Sequence, residues 1–267
     1  MEVIIRPDAD GATRLVARII AKELAANPHL VLGLATGRTM ERVYEHLVRM
    51  HRKEDLDFSL CSTFNLDEYV GLAPEEPHSY RNYMNEHLFR QVNIDLRNTH
   101  LPDSQATDLE AECRRYEAAI ARFGGIDLQL LGIGQAGHIG FNEPLSALRS
   151  RTRVKALAPL TLEQNAEFFG GKDKVPRRAI TMGVGTILES RRCLLLATGS
   201  DKAEIIAKAV EGPITSMISA TALQLHARCT VIVDEAAASR LADTEYYRRI
   251  FATEPEWEEF RELEPEH

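Results

Sequence analysis

The chain has 267 residues, of which 44% are apolar, so it is long enough to bury one large core. Its 40 acidic and 32 basic residues give a net charge of −8, which argues against nucleic acid as a partner. No stretch approaches the roughly 18 apolar residues that a membrane span needs, and the first residues lack the pattern of a secretion signal. We therefore expect a cytoplasmic protein that binds neither nucleic acid nor a membrane.

Apolar runs and helical periods alternate along the chain, which predicts an α/β fold with a mostly parallel central sheet and helices on both faces. Pro28 and the pair Gly124 and Gly125 stop two of the helices. The predicted strands are 3–7, 29–35, 62–66, 126–134, 192–199 and 230–234. The predicted helices are 11–26, 40–51, 107–123 and 201–211.

No repeat, low-complexity segment or flexible linker interrupts this pattern, so we expect a single domain over 1–267, with 240–267 as a C-terminal extension. The end of that extension, 254–267, is acidic and places Trp257 and Phe260 three residues apart. This spacing fits either a docking helix or a frayed tail.

Four cysteines lie far apart without a C-x-x-C pair or a histidine at zinc-finger spacing, which argues against disulfides and a structural zinc. They are Cys61, Cys113, Cys193 and Cys229. We expect reduced cysteines and no metal site.

In open α/β sheets, ligands bind beyond the carboxyl ends of the strands, so the loops after the predicted strands are the places to look for chemistry. The first is Thr36, Gly37, Arg38 and Thr39, which precede a helix. Free N–H groups at a helix start, together with an arginine, favour a phosphate site, although a plain strand-to-helix turn has the same appearance.

Two further loops carry acidic and imidazole groups. Asp67 and Glu68 follow the strand at 62–66, and either could be a general base or an ordinary surface acid. The glycine-rich loop 132–144 contains His138 and Glu143, which form a proton-transfer pair if the loop folds back on itself.

A fourth loop, after the strand at 192–199, places Lys202 at a helix start, where it fits a second anion site. Ser200 or Asp201 in the same loop could instead simply cap the helix.

The segments LGLATGRT, FNLDEYVGL, GHIGFNEP, SRTRVK, ITMGVGTIL, GSDKA and LQLH, in this order, resemble glucosamine-6-phosphate deaminases over nearly the whole chain. The resemblance implies a modified Rossmann-like, three-layer α/β/α fold. It also implies conversion of glucosamine 6-phosphate and water to fructose 6-phosphate and ammonia, with no cofactor and no metal.

The resemblance also assigns roles to individual residues. His138, oriented by Glu143, opens the sugar ring, and Asp67 transfers a proton from C2 to C1. The loop 36–39 and Lys202 hold the phosphate.

Three positions depart from the family pattern around the expected substrate. Ala136 replaces a polar partner of the imidazole, Glu167 replaces a phosphate-binding arginine, and Arg38 stands where glycine is usual. Such changes fit three functions: the deaminase itself, a divergent aldose–ketose isomerase or deaminase of a different sugar, and a sugar-phosphate-binding pseudoenzyme.

Some bacterial members are hexamers that N-acetylglucosamine 6-phosphate activates at a subunit interface. Ser146, Arg153 and Lys155 match the residues involved, although basic residues on a strand can equally form a solvated edge. A homo-oligomer and a smaller assembly both remain open.

Overall fold

The computed structural model describes residues 1–262, and seven of its strands form one sheet in which every neighbouring pair is parallel. All six predicted strands belong to this sheet, whose order is β1-β10-β9-β6-β2-β3-β5. Its members are β1 (Glu2–Arg6), β2 (Val31–Leu34), β3 (Ser62–Asn65), β5 (Thr99–His100), β6 (Leu128–Leu131), β9 (Arg192–Ala197) and β10 (Cys229–Asp234).

Helices connect these strands and complete a three-layer α/β fold, which confirms the predicted fold class. The four predicted helices are α1 (Ala9–Ala26), α2 (Arg38–Lys53), α4 (Leu109–Arg122) and α7 (Ala203–Val210). The others are α3 (Tyr80–Met84), α5 (Pro159–Asn165), α6 (Val184–Leu188), α8 (Glu235–Ala238), α9 (Thr244–Thr253) and α10 (Glu258–Glu262).

Local sequence accounts for several of these boundaries. The side chain of Asp8 accepts a hydrogen bond from Gly11 N at 2.7 Å and so caps α1, and Asp108 caps α4 in the same way. Gly124 and Gly125 follow α4 with positive φ angles of 82° and 89°, which ends the helix as expected.

A second, antiparallel sheet of three strands, in the order β4-β8-β7, was not predicted. Its strands are β4 (Asp67–Tyr69), β7 (Arg153–Ala156) and β8 (Arg178–Thr181). The predicted strand at 62–66 is thus only the first part of an extended segment that leaves the main sheet after Leu66 and joins the small one. Aromatic and aliphatic side chains, including Tyr69, Phe141 and Phe169, form a separate core beneath the small sheet.

The C-terminal segment packs against the main sheet, since Trp257 and Phe260 are both buried in the large hydrophobic core. The docking alternative therefore holds for residues 254–262, and the rest of the predicted extension, 263–267, lies outside the described residues. That the two sheets fold as a single domain stays a prediction.

All four cysteines are buried as free thiols. Within 1–262 no helix has the length and apolar content to cross a membrane.

Candidate functional site

The strand order of the main sheet reverses between β2 and β6, and a cleft of about 500 Å³ lies there. At such a point the loops beyond the carboxyl ends of the strands diverge and leave a crevice for a ligand. The loops that follow β2, β3, β6 and β9 all contribute to its wall. Seven of the predicted site residues line it: Thr36, Gly37, Arg38, Thr39, Asp67, His138 and Lys202.

Asp67 is the first residue of β4 and lies directly opposite Thr181 of β8. The hydroxyl of Thr181 accepts a hydrogen bond from the backbone N–H of Phe141 at 3.0 Å, which joins the glycine-rich loop to this sheet. A Cβ atom on Gly140 would lie 3.3 Å from Asp67 Oδ2 and 2.9 Å from the Thr181 hydroxyl. Only glycine therefore lets the loop pass this close to the carboxylate.

Burial, and then the negative charge of Glu68, raise the pKa of Asp67 to about 8. The side chain is only 6% exposed, although it lines the cleft. A carboxylate of this kind is a much stronger base than a solvated one, and its pKa lies near the pH at which an enzyme works.

His138 and Glu143 meet because the loop that carries them folds back on itself. Gly134 N donates to His138 O, and Gly137 N donates to Gly134 O, both at 2.9 Å. A Cβ atom on Gly134 would lie 2.2 Å from His138 Nε2, so the imidazole occupies the space that a side chain would need. Glu143 Oε2 then faces His138 Nδ1 at 3.4 Å.

The remaining contacts of this pair fix the carboxylate and keep the imidazole neutral. Glu143 Oε1 accepts from Thr161 Oγ1 at 2.5 Å and from Ala158 N at 3.1 Å. Burial lowers the pKa of His138; the carboxylate of Glu143 opposes this shift, and the positive charge of Lys202 adds to it. A neutral imidazole can both accept and donate a proton, as a proton shuttle requires.

The other end of the cleft carries groups that can attract an anion. Gly37 N-caps α2 in a left-handed conformation with φ 117°, and the first N–H groups of a helix have no partners within the helix. Tyr83 OH donates to Gly37 O at 2.9 Å and thereby supports the turn. The guanidinium of Arg38 and the ammonium of Lys202 add positive charge, and the carboxylate of Asp201, 3.7 Å from Lys202 Nζ, offsets part of it.

Neither of the two departures at positions 136 and 167 lies in the cleft wall. Ala136 is half-buried in the glycine-rich loop, and Glu167 follows α5 with a side chain that is 91% exposed. The Glu167 carboxylate lies 4.0 Å from the Arg38 guanidinium at the rim. The two unusual charges are thus partners of each other.

Ser146 and Arg153 contact one another next to this loop. The Arg153 guanidinium donates to Ser146 Oγ at 3.0 Å and to Asn142 Oδ1 at 2.9 Å. Asn142 immediately precedes Glu143 in the chain, so Arg153 and Ser146 support the loop that carries Glu143. Lys155 lies two residues further along β7, on the same face of the strand as Arg153.

Several residues of the cleft escaped the sequence analysis. Thr198 directly follows β9 and could have been found by the rule that strand ends carry ligands. Tyr80, Thr161, Gln164 and Asn165 lie on α3 and α5, which are too short for their periodicity to be recognised.

With the geometry established, comparison with known proteins identifies the family. Residues 8–232 match the family described as glucosamine-6-phosphate isomerases/6-phosphogluconolactonase. The chain belongs to this family. Members of the isomerase/lactonase family that resemble it strongly include a glucosamine-6-phosphate deaminase from Cellvibrio japonicus, 50% identical over 250 residues that cover 94% of this chain and 95% of the relative. The enzyme of that name from Streptomyces coelicolor is 47% identical over 259 residues, which cover 97% of this chain and 99% of the relative.

Solved structures of the isomerase/lactonase family support the same assignment. A glucosamine-6-phosphate deaminase described as monomeric superposes with a TM-score of 0.88 at 45% identity, covering 90% of this chain and all of the other. A 6-phosphogluconolactonase from Trypanosoma brucei reaches a TM-score of 0.71 at 19% identity, covering 90% of this chain and 98% of the other. The second likeness concerns the fold alone.

Proposed function

We propose that this chain is a glucosamine-6-phosphate deaminase, which converts glucosamine 6-phosphate and water to fructose 6-phosphate and ammonia without a cofactor or a metal ion. The observation that carries the proposal is that Asp67, His138 and Lys202 line one cleft of about 500 Å³. Relatives of that name that are 45–50% identical over more than nine-tenths of the chain support it.

His138 opens the sugar ring in the first step. It moves a proton from the anomeric hydroxyl to the ring oxygen, and this requires one nitrogen of a neutral imidazole to point at the substrate. The carboxylate of Glu143 beside Nδ1 favours the tautomer with the proton on Nδ1, which leaves Nε2 free to accept one.

Asp67 then transfers a proton from C2 to C1 of the open chain. The ionised carboxylate removes the C2 proton, an enolamine forms, and the acid returns the proton to C1. The resulting iminium at C2 adds water, and the carbinolamine collapses to the ketone of fructose 6-phosphate as ammonia leaves. General acid–base steps of this kind each contribute roughly 10²–10⁴-fold to the rate.

Phosphate binding holds the sugar in position while these protons move. The loop 36–39 at the start of α2 offers backbone N–H groups, and Arg38 and Lys202 supply positive charge. Binding energy from this distant group aligns C1 and C2 with the acid–base pair.

The Arg38–Glu167 pair indicates that the departures at positions 38 and 167 do not require a different substrate. The family's usual arginine is absent at position 167, but a guanidinium is present at position 38, on the facing side of the same rim. Glu167 offsets the charge of Arg38 at the rim, but the ammonium of Lys202 and the backbone N–H groups at the start of α2 remain in the cleft wall, so a sugar phosphate remains the substrate that fits the cleft.

For regulation, we propose that Ser146 and Arg153 act first as supports for the loop that carries Glu143. An anionic effector at Arg153 and Lys155 would have to displace the bonds to Ser146 and Asn142. Kinetics of ammonia release that stay hyperbolic, and unchanged by N-acetylglucosamine 6-phosphate, would support this role. Sigmoidal kinetics relieved by that compound would contradict it.

A coupled assay for ammonia with glucosamine 6-phosphate as the substrate tests the proposed function. The wild-type protein should release ammonia and fructose 6-phosphate in equal amounts, and Asp67→Asn should abolish release while it still binds fructose 6-phosphate. Isomerisation of aldose phosphates without ammonia release would instead identify a divergent isomerase. Binding without either reaction would identify a pseudoenzyme.

A further inference from the structure

The two consecutive carboxylates of β4 point to opposite sides of the strand. Asp67 lines the cleft, whereas Glu68 is turned away from it and is only 3% exposed. Glu68 accepts three backbone N–H bonds, from Tyr69 at 2.9 Å, Tyr80 at 3.0 Å and Arg81 at 2.9 Å. A carboxylate with three such donors is held in one orientation, and the donors favour its ionised form.

These bonds join the strand that carries the base to the beginning of α3. Two residues of α3 contact the cleft or its wall. Tyr80 lines the cleft, and the hydroxyl of Tyr83 donates to Gly37 O in the turn that precedes α2. The position of Glu68 therefore affects both ends of the cleft, although its own side chain does not reach it.

We infer that Glu68 is a positioning residue for the base: it locks β4 to α3 and keeps a fixed negative charge behind the carboxyl group of Asp67. The inference rests on the proposed role of Asp67. The charge makes Asp67 hold its proton more tightly and so makes its ionised form a stronger base towards a carbon acid.

The tyrosines and cations around Asp67 do not raise its pKa through a negative charge. Tyr69 and Tyr116 are buried phenols and Tyr80 is a partly buried one; the pKa values of all three are raised, so they are neutral at working pH. Across the cleft, Arg38 and Lys202 are cations, which would lower the pKa of a carboxyl group.

Burial raises the pKa of Glu68 as well, and its three backbone donors together with Arg81 oppose that shift. The two carboxyl groups therefore titrate as a coupled pair. Because Glu68 has the donors that favour ionisation, we expect Asp67 to be the partner that keeps its proton to higher pH.

The test is a comparison of Glu68→Gln, Glu68→Asp and the wild type, with Glu112→Gln as a matched control. Glu112 is likewise a buried glutamate that accepts a backbone N–H, from Asp103 at 2.7 Å, but it lies on α4 away from the cleft. Two quantities are measured: the acid limb of kcat/KM for ammonia release, and the titration of the Asp67 carboxyl carbon by ¹³C NMR, assigned with Asp67→Asn.

Glu68→Gln should move both the acid limb and the NMR titration of Asp67 to lower pH by about one unit, because the negative charge of the adjacent residue is lost. Glu68→Asp keeps the charge and should leave both near their wild-type positions, as should Glu112→Gln. A folded Glu68→Gln protein in which Asp67 titrates as in the wild type overturns the inference, whatever its activity.

If Glu68→Gln does not fold, the NMR titration of Asp67 in the wild-type protein tests the inference instead. The Asp67 signal should then show a separate, smaller step at acid pH as Glu68 ionises, and the absence of that step overturns the inference. A wild-type protein that releases no ammonia refutes the proposed function instead, and it leaves the NMR comparison intact.

Discussion

Glu143 Oε2 faces His138 Nδ1 at 3.4 Å, and neither atom has another hydrogen-bond partner within residues 1–262. The distance is longer than a good hydrogen bond, and the imidazole is neutral because burial lowers its pKa. The carboxylate therefore acts mainly by deciding which ring nitrogen carries the proton.

Replacing Glu143 by Gln should reverse that preference, because an amide can turn its N–H₂ group towards Nδ1. The proton would then lie on Nε2, and ammonia release should fall by roughly 10²–10⁴-fold while the KM changes little. ¹⁵N NMR of the His138 ring reports the tautomer directly. An unchanged tautomer together with a large loss of rate would contradict this explanation.

Gly140→Ala should inactivate the enzyme more severely than its effect on folding explains. The new Cβ would crowd Asp67 Oδ2 and the Thr181 hydroxyl, and the φ of 55° is unfavourable for alanine. Gly71→Ala is the matched control, since its φ is 93° and nothing in the described part of the chain lies within 4 Å of its Cβ position. Backbone strain should cost each variant about 1–2 kcal/mol of stability. Gly140→Ala should lose somewhat more through the contact with Thr181, and only Gly140→Ala should lose most of its kcat. Equal losses of kcat would refute the argument.

Glu167→Arg should lower the KM for glucosamine 6-phosphate by about three- to tenfold, since it removes a negative charge beside Arg38 and adds a positive one. Arg38→Gly should raise the KM. The effect should shrink in 0.5 M salt because both side chains are exposed. Glu163→Arg, on the exposed part of α5, controls for charge alone. A KM that Glu167→Arg leaves unchanged or raises would show that the phosphate lies elsewhere.

Asp67→Asn should be more stable than the wild type at pH 8 and nearly equal to it at pH 4. The folded protein raises the pKa of Asp67 from 3.8 to about 8, so between these values it holds a proton that the unfolded chain releases. Wild-type stability therefore falls as pH rises through this window, by on the order of 5 kcal/mol, and asparagine removes the cost. Urea unfolding at the two pH values measures the difference in free energy of unfolding between Asp67→Asn and the wild type. A difference that is the same at both pH values would contradict the raised pKa.

Much of the central sheet could be predicted, because its strands are nearly continuous apolar runs and its long helices have clear periodicity. The small antiparallel sheet could not, because its strands are three or four residues long and contain charged residues such as Asp67 and Arg153. Helix α5 was missed for the same reason, and with it Thr161, which holds Glu143.

The sequence by itself determined the family, the main sheet and the loops that could carry chemistry, because these depend on local patterns of side chains. The tertiary structure decided which residues meet: it turned Asp67 towards the cleft and Glu68 away from it, and it brought Arg38 to Glu167. Such pairings arise from strand order and from the folding back of a loop, which bring together residues far apart along the chain, such as Arg38 and Glu167, which are 129 positions apart. A local sequence pattern carries no information about contacts between residues that are so far apart along the chain.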